Sequence, residues 1–147
     1  MKIRSMSHSD FDRVIEIERA SFKDPWSHIS FLDLFHFSPK GFIVVEVQGE
    51  IVGYAIYVLE TNEIGHLLSI AVDPNWRRKK IGTSLMNYII EDLRNKGVKY
   101  LKLEVREGNL PAIKLYKSLG FLEIEIIRYY YSDGENAILM VKDISRE

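Results

Sequence analysis

Three segments of the sequence combine residue types and spacings that could do chemistry, and the first of them is basic. The run Arg77-Arg78-Lys79-Lys80 lies between a β-rich segment and a helical one, and Ile81, Gly82 and Thr83 follow it. The first turn of a helix has free N–H groups and a positive dipole end, and four cations strengthen this field. The segment therefore fits a phosphate group, although a solvated basic turn before a helix would look the same. It is neither a P-loop nor a dinucleotide fingerprint, because the required glycines and the Gly-Lys-Ser/Thr ending are missing.

The second segment places a carboxylate near the end of a predicted strand. Glu104 alternates with Leu103 and Val105, so its side chain points to the face opposite these apolar residues. Ligands in open α/β sheets collect at the carboxyl ends of strands, where a carboxylate could act as a general base. A surface glutamate paired with an arginine is the alternative interpretation.

The third segment is a predicted helix that carries Tyr116 and ends at Gly120. A tyrosine there could donate a proton, or it could be a core residue on the apolar face of the helix. The four histidines of the chain are scattered and lack the spacing of metal ligands, so no metal is expected.

These residues must be positioned by strands and helices, which hydrophobic periodicity and turn residues delimit. Ser7, Ser27 and Asn109 are predicted helix caps, and Gly97 and Gly120 are predicted to end helices. We predict strands over 2–6, 42–47, 51–58, 64–72, 99–105, 121–131 and 136–142, and helices over 9–21, 28–37, 81–96 and 110–119.

The order of these elements predicts an α/β fold with a mixed sheet. Strands 64–72 and 99–105 flank a helix, so we expect them to be parallel neighbours in a βαβ unit. The remaining strands can pair antiparallel, which predicts a twisted, mainly antiparallel sheet with helices on both faces. The length of 147 residues fits one domain over residues 1–147.

Composition excludes several classes of protein. The chain has no cysteine, which excludes disulfides, thiolate metal sites and a cysteine nucleophile. No apolar run approaches the ~20 residues that span a bilayer, and the N-terminus lacks a signal-peptide pattern, so a cytoplasmic protein is expected. The net charge of −1 argues against bulk electrostatic binding to nucleic acid or membrane.

Taken in order along nearly the whole chain, the motifs resemble those of the GNAT superfamily of acyl-CoA-dependent N-acetyltransferases. Within it, the chain is most similar to the RimI-type protein N-terminal acetyltransferases. The matching pieces are Ser21-Phe22, Pro25-Trp26-Ser27, Ile70-Ala71-Val72-Asp73-Pro74, Leu103-Glu104-Val105-Arg106, Asn109, Ala112-Ile113, Leu115-Tyr116, Leu119-Gly120-Phe121 and Arg128-Tyr129-Tyr130-Tyr131.

The resemblance implies a GNAT-like fold that binds acetyl-CoA where strands 64–72 and 99–105 splay apart. It implies that the amides of residues 77–83 meet the pyrophosphate, and that the backbone of residues 70–72 aligns the pantetheine and polarises the thioester. Asn109 would bind near the thiol end. The implied cofactor-binding residues are Ile70, Ala71, Val72, Arg77, Arg78, Lys79, Lys80, Ile81, Gly82, Thr83, Asn109 and Tyr116.

The resemblance also implies roles in direct transfer of the acetyl group to an amine. Glu104 would be the general base, and Tyr116 would donate a proton to the departing CoA thiolate. Some related enzymes place a second acid–base group near His66, although a plain surface or packed histidine is the alternative. The implied acceptor is a protein N-terminus, on a ribosomal protein or a nascent chain near the ribosome, and the implied contacts to it are Phe22, Pro25, Trp26, Tyr130 and Tyr131.

One position departs from the family pattern, which expects glycine where this chain has Lys80. Gly82 is retained, and Lys80 could leave its amide available if its φ is negative, while its side chain could add a phosphate contact. Lysine, polyamine or small-molecule acceptors remain open. From a different class, an RNA-binding module on a degenerate scaffold would use the same basic run.

Overall fold

Seven strands and four α-helices form within residues 1–78 and 80–145, which the computed structural model describes. The strands are β1 (Lys2–Ser5), β2 (Phe42–Val47), β3 (Glu50–Leu59), β4 (Ile64–Val72), β5 (Tyr100–Arg106), β6 (Leu122–Ile127) and β7 (Ala137–Asp143). The helices are α1 (Phe11–Ser21), α2 (His28–Phe37), α3 (Ile81–Asn95) and α4 (Leu110–Ser118). The predicted order of strands and helices is confirmed.

The strands form one mixed sheet in the order β1-β2-β3-β4-β5-β7-β6. β4 and β5 are parallel, with the register running from Ile64 opposite Tyr100 to His66 opposite Lys102. β1–β2, β2–β3, β5–β7 and β6–β7 are antiparallel. The predicted βαβ unit and mainly antiparallel sheet are therefore confirmed.

Local hydrogen bonds explain where the helices begin. The side-chain oxygen of Ser27 accepts from the Ser30 amide at 3.1 Å, and Asn109 Oδ1 accepts from the Ala112 amide at 3.3 Å. Both caps were predicted, since such side chains satisfy amides that have no partner within the helix. The Ser7 cap instead opens a 3₁₀ turn, His8–Asp10, and α1 follows it.

The last predicted strand, 121–131, is too long. β6 ends at Ile127, because Tyr129 adopts a left-handed φ of 55° and its amide donates to Asn136 Oδ1 at 3.0 Å. The Tyr131 amide then donates to the Glu135 carbonyl. Residues 128–136 consequently form a loop, which we call the β6–β7 loop, and its tyrosines are not strand residues.

The chain divides into two compact units. The first unit, Met1–Val58 and Ser69–Ile89, has an aromatic core in which Phe31 contacts the rings of Trp26, Phe42 and Tyr54 edge-on. The second unit, Leu59–Leu68 and Ile90–Glu147, buries alternate residues of β5 together with apolar residues of β7. β4 and α3 each contribute residues to both units.

Candidate active site

β5 positions a row of polar side chains in the second unit. Leu101, Leu103 and Val105 are buried, whereas Lys102, Glu104 and Arg106 are only partly buried, as the alternation along a strand requires. The prediction that Glu104 points away from its apolar neighbours is therefore confirmed.

Glu104 is paired with a histidine from β4. The parallel register puts His66 opposite Lys102, and His66 Nε2 lies 2.7 Å from Glu104 Oε1. The two side chains are 20% and 13% exposed. An ionised carboxylate only accepts hydrogen bonds, so Nε2 must carry the proton when Glu104 is charged. The contact places two ionisable side chains within hydrogen-bond distance in a partly buried position.

Tyr130 is a second partner of Glu104, to which its hydroxyl donates a hydrogen bond. Burial and the negative charge of Glu104 raise the pKa of Tyr130, so the phenol keeps its proton at neutral pH. The alternative interpretation, in which Glu104 pairs with an arginine, does not describe these contacts.

Arg106, on the same strand as Glu104, forms ion pairs with residues of the β6–β7 loop. Arg106 Nη1 lies 2.9 Å from Asp133 Oδ2 and 2.8 Å from Glu135 Oε1. Its guanidinium carbon lies 4.1 Å from the centroid of the Tyr131 ring, which meets Tyr130 edge-on at 5.0 Å. This network was not predicted, although alternation along β5 already placed Arg106 on the face of Glu104.

Tyr131 and Tyr116 both keep their phenol protons at neutral pH. Burial raises the pKa of Tyr131 to about 12, with Arg106 acting in the opposite direction. Burial, with a contribution from Tyr131, raises the pKa of Tyr116, which lies buried on α4 and meets Phe121 edge-on. Tyr116 is thus both a core residue and a protonated phenol.

Asn109 is exposed, and its side-chain oxygen is engaged in capping α4. A ligand contact from this residue would therefore fall to its Nδ2 group, which can only donate.

The carboxyl end of β4 lies in the first unit and is followed by an anchored turn. Asp73 Oδ2 accepts from Arg13 Nη2 at 2.5 Å, and Asp73 Oδ1 accepts from the Asn75 amide at 2.8 Å. These hydrogen bonds hold the pKa of Asp73 below its usual value. Arg77 Nε donates to the Val72 carbonyl at 3.2 Å, so this side chain folds back onto the strand end.

The start of α3 differs from expectation at Lys80. Its carbonyl accepts from the Ser84 amide at 3.0 Å, which makes Lys80 the residue that caps the helix. Its φ is 60°, and that of Arg78 is 65°, so the negative φ considered for Lys80 is wrong. Arg77, Arg78 and Lys80 are exposed at this helix end, while Lys79 lies outside the described residues.

The predicted acceptor contacts of the first unit lie in the loop between α1 and α2. Phe22 is 36% exposed, and Pro25 and Trp26 are partly buried. The Trp26 amide donates to Oε2 of Glu18 at 3.0 Å. Glu18 was not predicted as a site residue, since a glutamate near the end of an amphipathic helix usually faces solvent.

The predicted site residues fall into two groups. The first unit holds those of the α1–α2 loop, of β4 and of the start of α3. The second holds Glu104, Asn109, Tyr116, Tyr130 and Tyr131. Within residues 1–78 and 80–145, none of the helices has the length and apolarity to cross a membrane, and no three His, Asp or Glu side chains are grouped to hold a metal.

Comparison with known proteins gives this arrangement a family. The model of the acetyltransferase (GNAT) family matches residues 11–121. The chain is 36% identical to an N-alpha-acetyltransferase of Sulfurisphaera tokodaii, over 95% of this chain and 90% of the relative. It is 37% identical to the ribosomal protein bS18-alanine N-acetyltransferase of Escherichia coli, over 97% of both. The crystal structure of Ard1 from Thermoplasma volcanium has a TM-score of 0.95 and 32% identity, and covers 99% of this chain and 98% of that one. The chain therefore belongs to the acetyltransferase (GNAT) family and is an N-acetyltransferase.

Proposed function

We propose that this enzyme transfers the acetyl group of acetyl-CoA to the N-terminal α-amine of a protein in the cytoplasm, either a ribosomal protein or a nascent chain. The observation that carries the proposal is the half-buried Glu104 with His66 at 2.7 Å on the same sheet face. The names of the relatives from S. tokodaii and E. coli support the choice of an α-amine as acceptor.

An amine must lose its proton before it can attack a thioester. The α-amino group has a pKa of about 7.7–8.0, against about 10.4 for lysine. At about 1.36 kcal/mol per unit, deprotonating lysine at neutral pH costs roughly 3.5 kcal/mol more. One carboxylate is an adequate base for the easier task. We assign Glu104 as the group that takes the amine proton, and His66 as the hydrogen-bond donor that orients its carboxylate.

Acetyl-CoA supplies the activated acyl group as a thioester. Because the chain has no cysteine, no acyl-cysteine intermediate can form, which agrees with direct transfer. A thiol has a pKa near 8.5 and leaves fairly well as a thiolate. We assign Tyr116 as the proton donor to that sulfur, because burial keeps its phenol protonated. Burial also makes the phenol a weak acid, so this contribution to the rate is modest.

The residues at the start of α3 fit the diphosphate of the cofactor. Three exposed cations, Arg77, Arg78 and Lys80, precede a helix whose first amides have no intrahelical acceptor. We propose that the backbone amides of Arg77, Arg78 and Lys80 bind the diphosphate together with those of Ile81, Gly82 and Thr83. Lys79 belongs to the same predicted set. The backbone of residues 70–72 and the Nδ2 group of Asn109 would hold the pantetheine arm.

The acceptor peptide would contact two loops. Phe22, Pro25 and Trp26 lie in the α1–α2 loop, and Tyr130 and Tyr131 lie in the β6–β7 loop. We propose that these side chains contact the peptide, and that residues 1–147 form one acetyltransferase domain.

The acceptor class is tested by initial rates with three related peptides. The first has a free N-terminus, the second a blocked one, and the third a blocked one with an internal lysine. We expect acetylation of the first alone. Equal rates for the first and third peptides would refute α-amine specificity.

The base is tested with Glu104→Gln, which keeps the shape of the side chain and removes its charge. We expect kcat to fall by about 10²–10⁴-fold at neutral pH, the usual contribution of an acid–base group, with CoA affinity unchanged. Glu107→Gln, at an exposed carboxylate three residues along, is the matched control and should keep activity within about twofold. Full activity of Glu104→Gln on the acidic limb of the pH profile would exclude this base.

A further inference from the structure

A buried carboxylate in the first unit takes no part in the proposed chemistry. Glu18 lies on α1 and is 1% exposed. Charged glutamates are rarely buried to this extent unless hydrogen bonds compensate for the lost solvation. Its burial therefore depends on the groups that donate hydrogen bonds to it.

Its hydrogen bonds come from two strands and one loop. Oε1 accepts from the hydroxyl of Tyr54 on β3 and from Ser69 Oγ on β4, the latter at 3.1 Å. Oε2 accepts from the amide of Trp26 in the α1–α2 loop at 3.0 Å. The Tyr54 and Ser69 oxygens are themselves 3.1 Å apart.

The same residue also binds the other end of the loop. The Glu18 carbonyl accepts from the Phe22 amide at 3.1 Å. Main chain and side chain of Glu18 thus fix both ends of the segment 22–26. Tyr54 and Ser69 lie within strands, where ladder hydrogen bonds hold the backbone, whereas the loop has no ladder of its own. Loss of the carboxylate should release the loop and leave the strands in place.

We propose that Glu18 is a positioning residue, which holds the α1–α2 loop in the conformation that binds the acceptor peptide. This inference rests on the proposed function, because that function assigns Phe22, Pro25 and Trp26 to the acceptor. It predicts that Glu18 controls the KM of the peptide and leaves the KM of acetyl-CoA unchanged.

The test compares Glu18→Gln and Glu18→Ala with the wild-type enzyme. Glutamine keeps an acceptor for the Trp26 amide but loses the charge, and bonds to charged groups are the stronger kind. We expect the peptide KM to rise about fivefold for glutamine and tenfold or more for alanine, with the acetyl-CoA KM within about twofold in both. Val14→Ala, at a buried apolar residue of the same helix, is the control for lost stability and should change neither KM.

Hydrogen exchange of the amides, measured without substrates, tests the same claim independently of activity. We expect the Trp26 amide to exchange about fivefold faster in Glu18→Gln and at least tenfold faster in Glu18→Ala, with residues 70–72 unchanged. If alanine prevents folding, the glutamine variant decides. Unchanged Trp26 exchange, or a parallel rise of both KM values, would overturn the proposal. A wild-type enzyme that acetylates no peptide would refute the proposed function, while the exchange data would still decide the role of Glu18.

Discussion

Replacing Lys80 by glycine restores the residue that the family pattern expects, and the structure gives the size of the effect. Lys80 has a φ of 60°, in the left-handed region that is unfavourable for residues with a Cβ. That conformation costs an L-residue about 1–2 kcal/mol, whereas glycine adopts it freely. Glycine also loses more entropy on folding, which offsets about 0.4–1 kcal/mol. We therefore expect Lys80→Gly to raise the free energy of unfolding by about 0.5–1 kcal/mol.

This change is measured by thermal unfolding with a matched variant. For a chain of this size the melting temperature should rise by about 1–4 °C. Lys80→Ala removes the same charge but keeps a Cβ at positive φ, so it should not stabilise the protein. Both variants should weaken CoA binding equally, by no more than about fivefold, since one exposed ion pair contributes about 0–1 kcal/mol. Equal melting temperatures for the two variants would show that Lys80 carries no backbone strain.

Three further measurements address other residues. Tyr116→Phe should lower kcat about tenfold, which is less than the usual 10²–10⁴-fold for an acid–base group, because a thiolate already leaves well. If the KM of acetyl-CoA changes more than kcat does, Tyr116 is a cofactor contact and not a proton donor. Arg106→Lys loses the planar group that stacks on Tyr131, so the KM of the peptide should rise about three- to tenfold. An unchanged KM would show that the β6–β7 loop does not contribute to acceptor binding. Arginine partners lower the pKa values of Asp10 and Asp73 in the folded protein. The two carboxylates therefore stabilise the fold fully above the unfolded-state pKa of about 3.9, and this stabilisation is lost as the pH falls through their folded-state pKa values. Urea titrations should show this loss below about pH 4, and a smaller loss when either aspartate is asparagine.

The sequence predicted most elements to within a residue or two, because their signals are local. The helix 28–37 and the strands 42–47 and 64–72 have the predicted bounds. The end of β6 was missed because the turn at Tyr129 depends on the side chain of Asn136, seven residues further along the chain. A pattern defined by neighbouring residues does not reveal that contact.

The candidate site was predictable to the extent that it follows from alternation. Alternation placed Glu104 on its face of β5 but could not show that His66 would lie beside it. That contact depends on the register between two parallel strands, which are 38 positions apart at these residues. Glu18 was missed for a similar reason, since its donors come from three other segments of the fold.

The positive φ of Lys80 changes how the phosphate segment should work. The sequence predicts an available Lys80 amide only for a negative φ, whereas the φ is positive and Lys80 directly precedes the first helical residue, Ile81. Successive amides in left-handed and right-handed conformations point into one concavity that binds anions. The strain at Lys80 and the diphosphate binding that we propose for this segment would then both follow from a single backbone conformation. Glycine at this position would keep that conformation without strain, which is why only the loss of one cation is expected to weaken CoA binding.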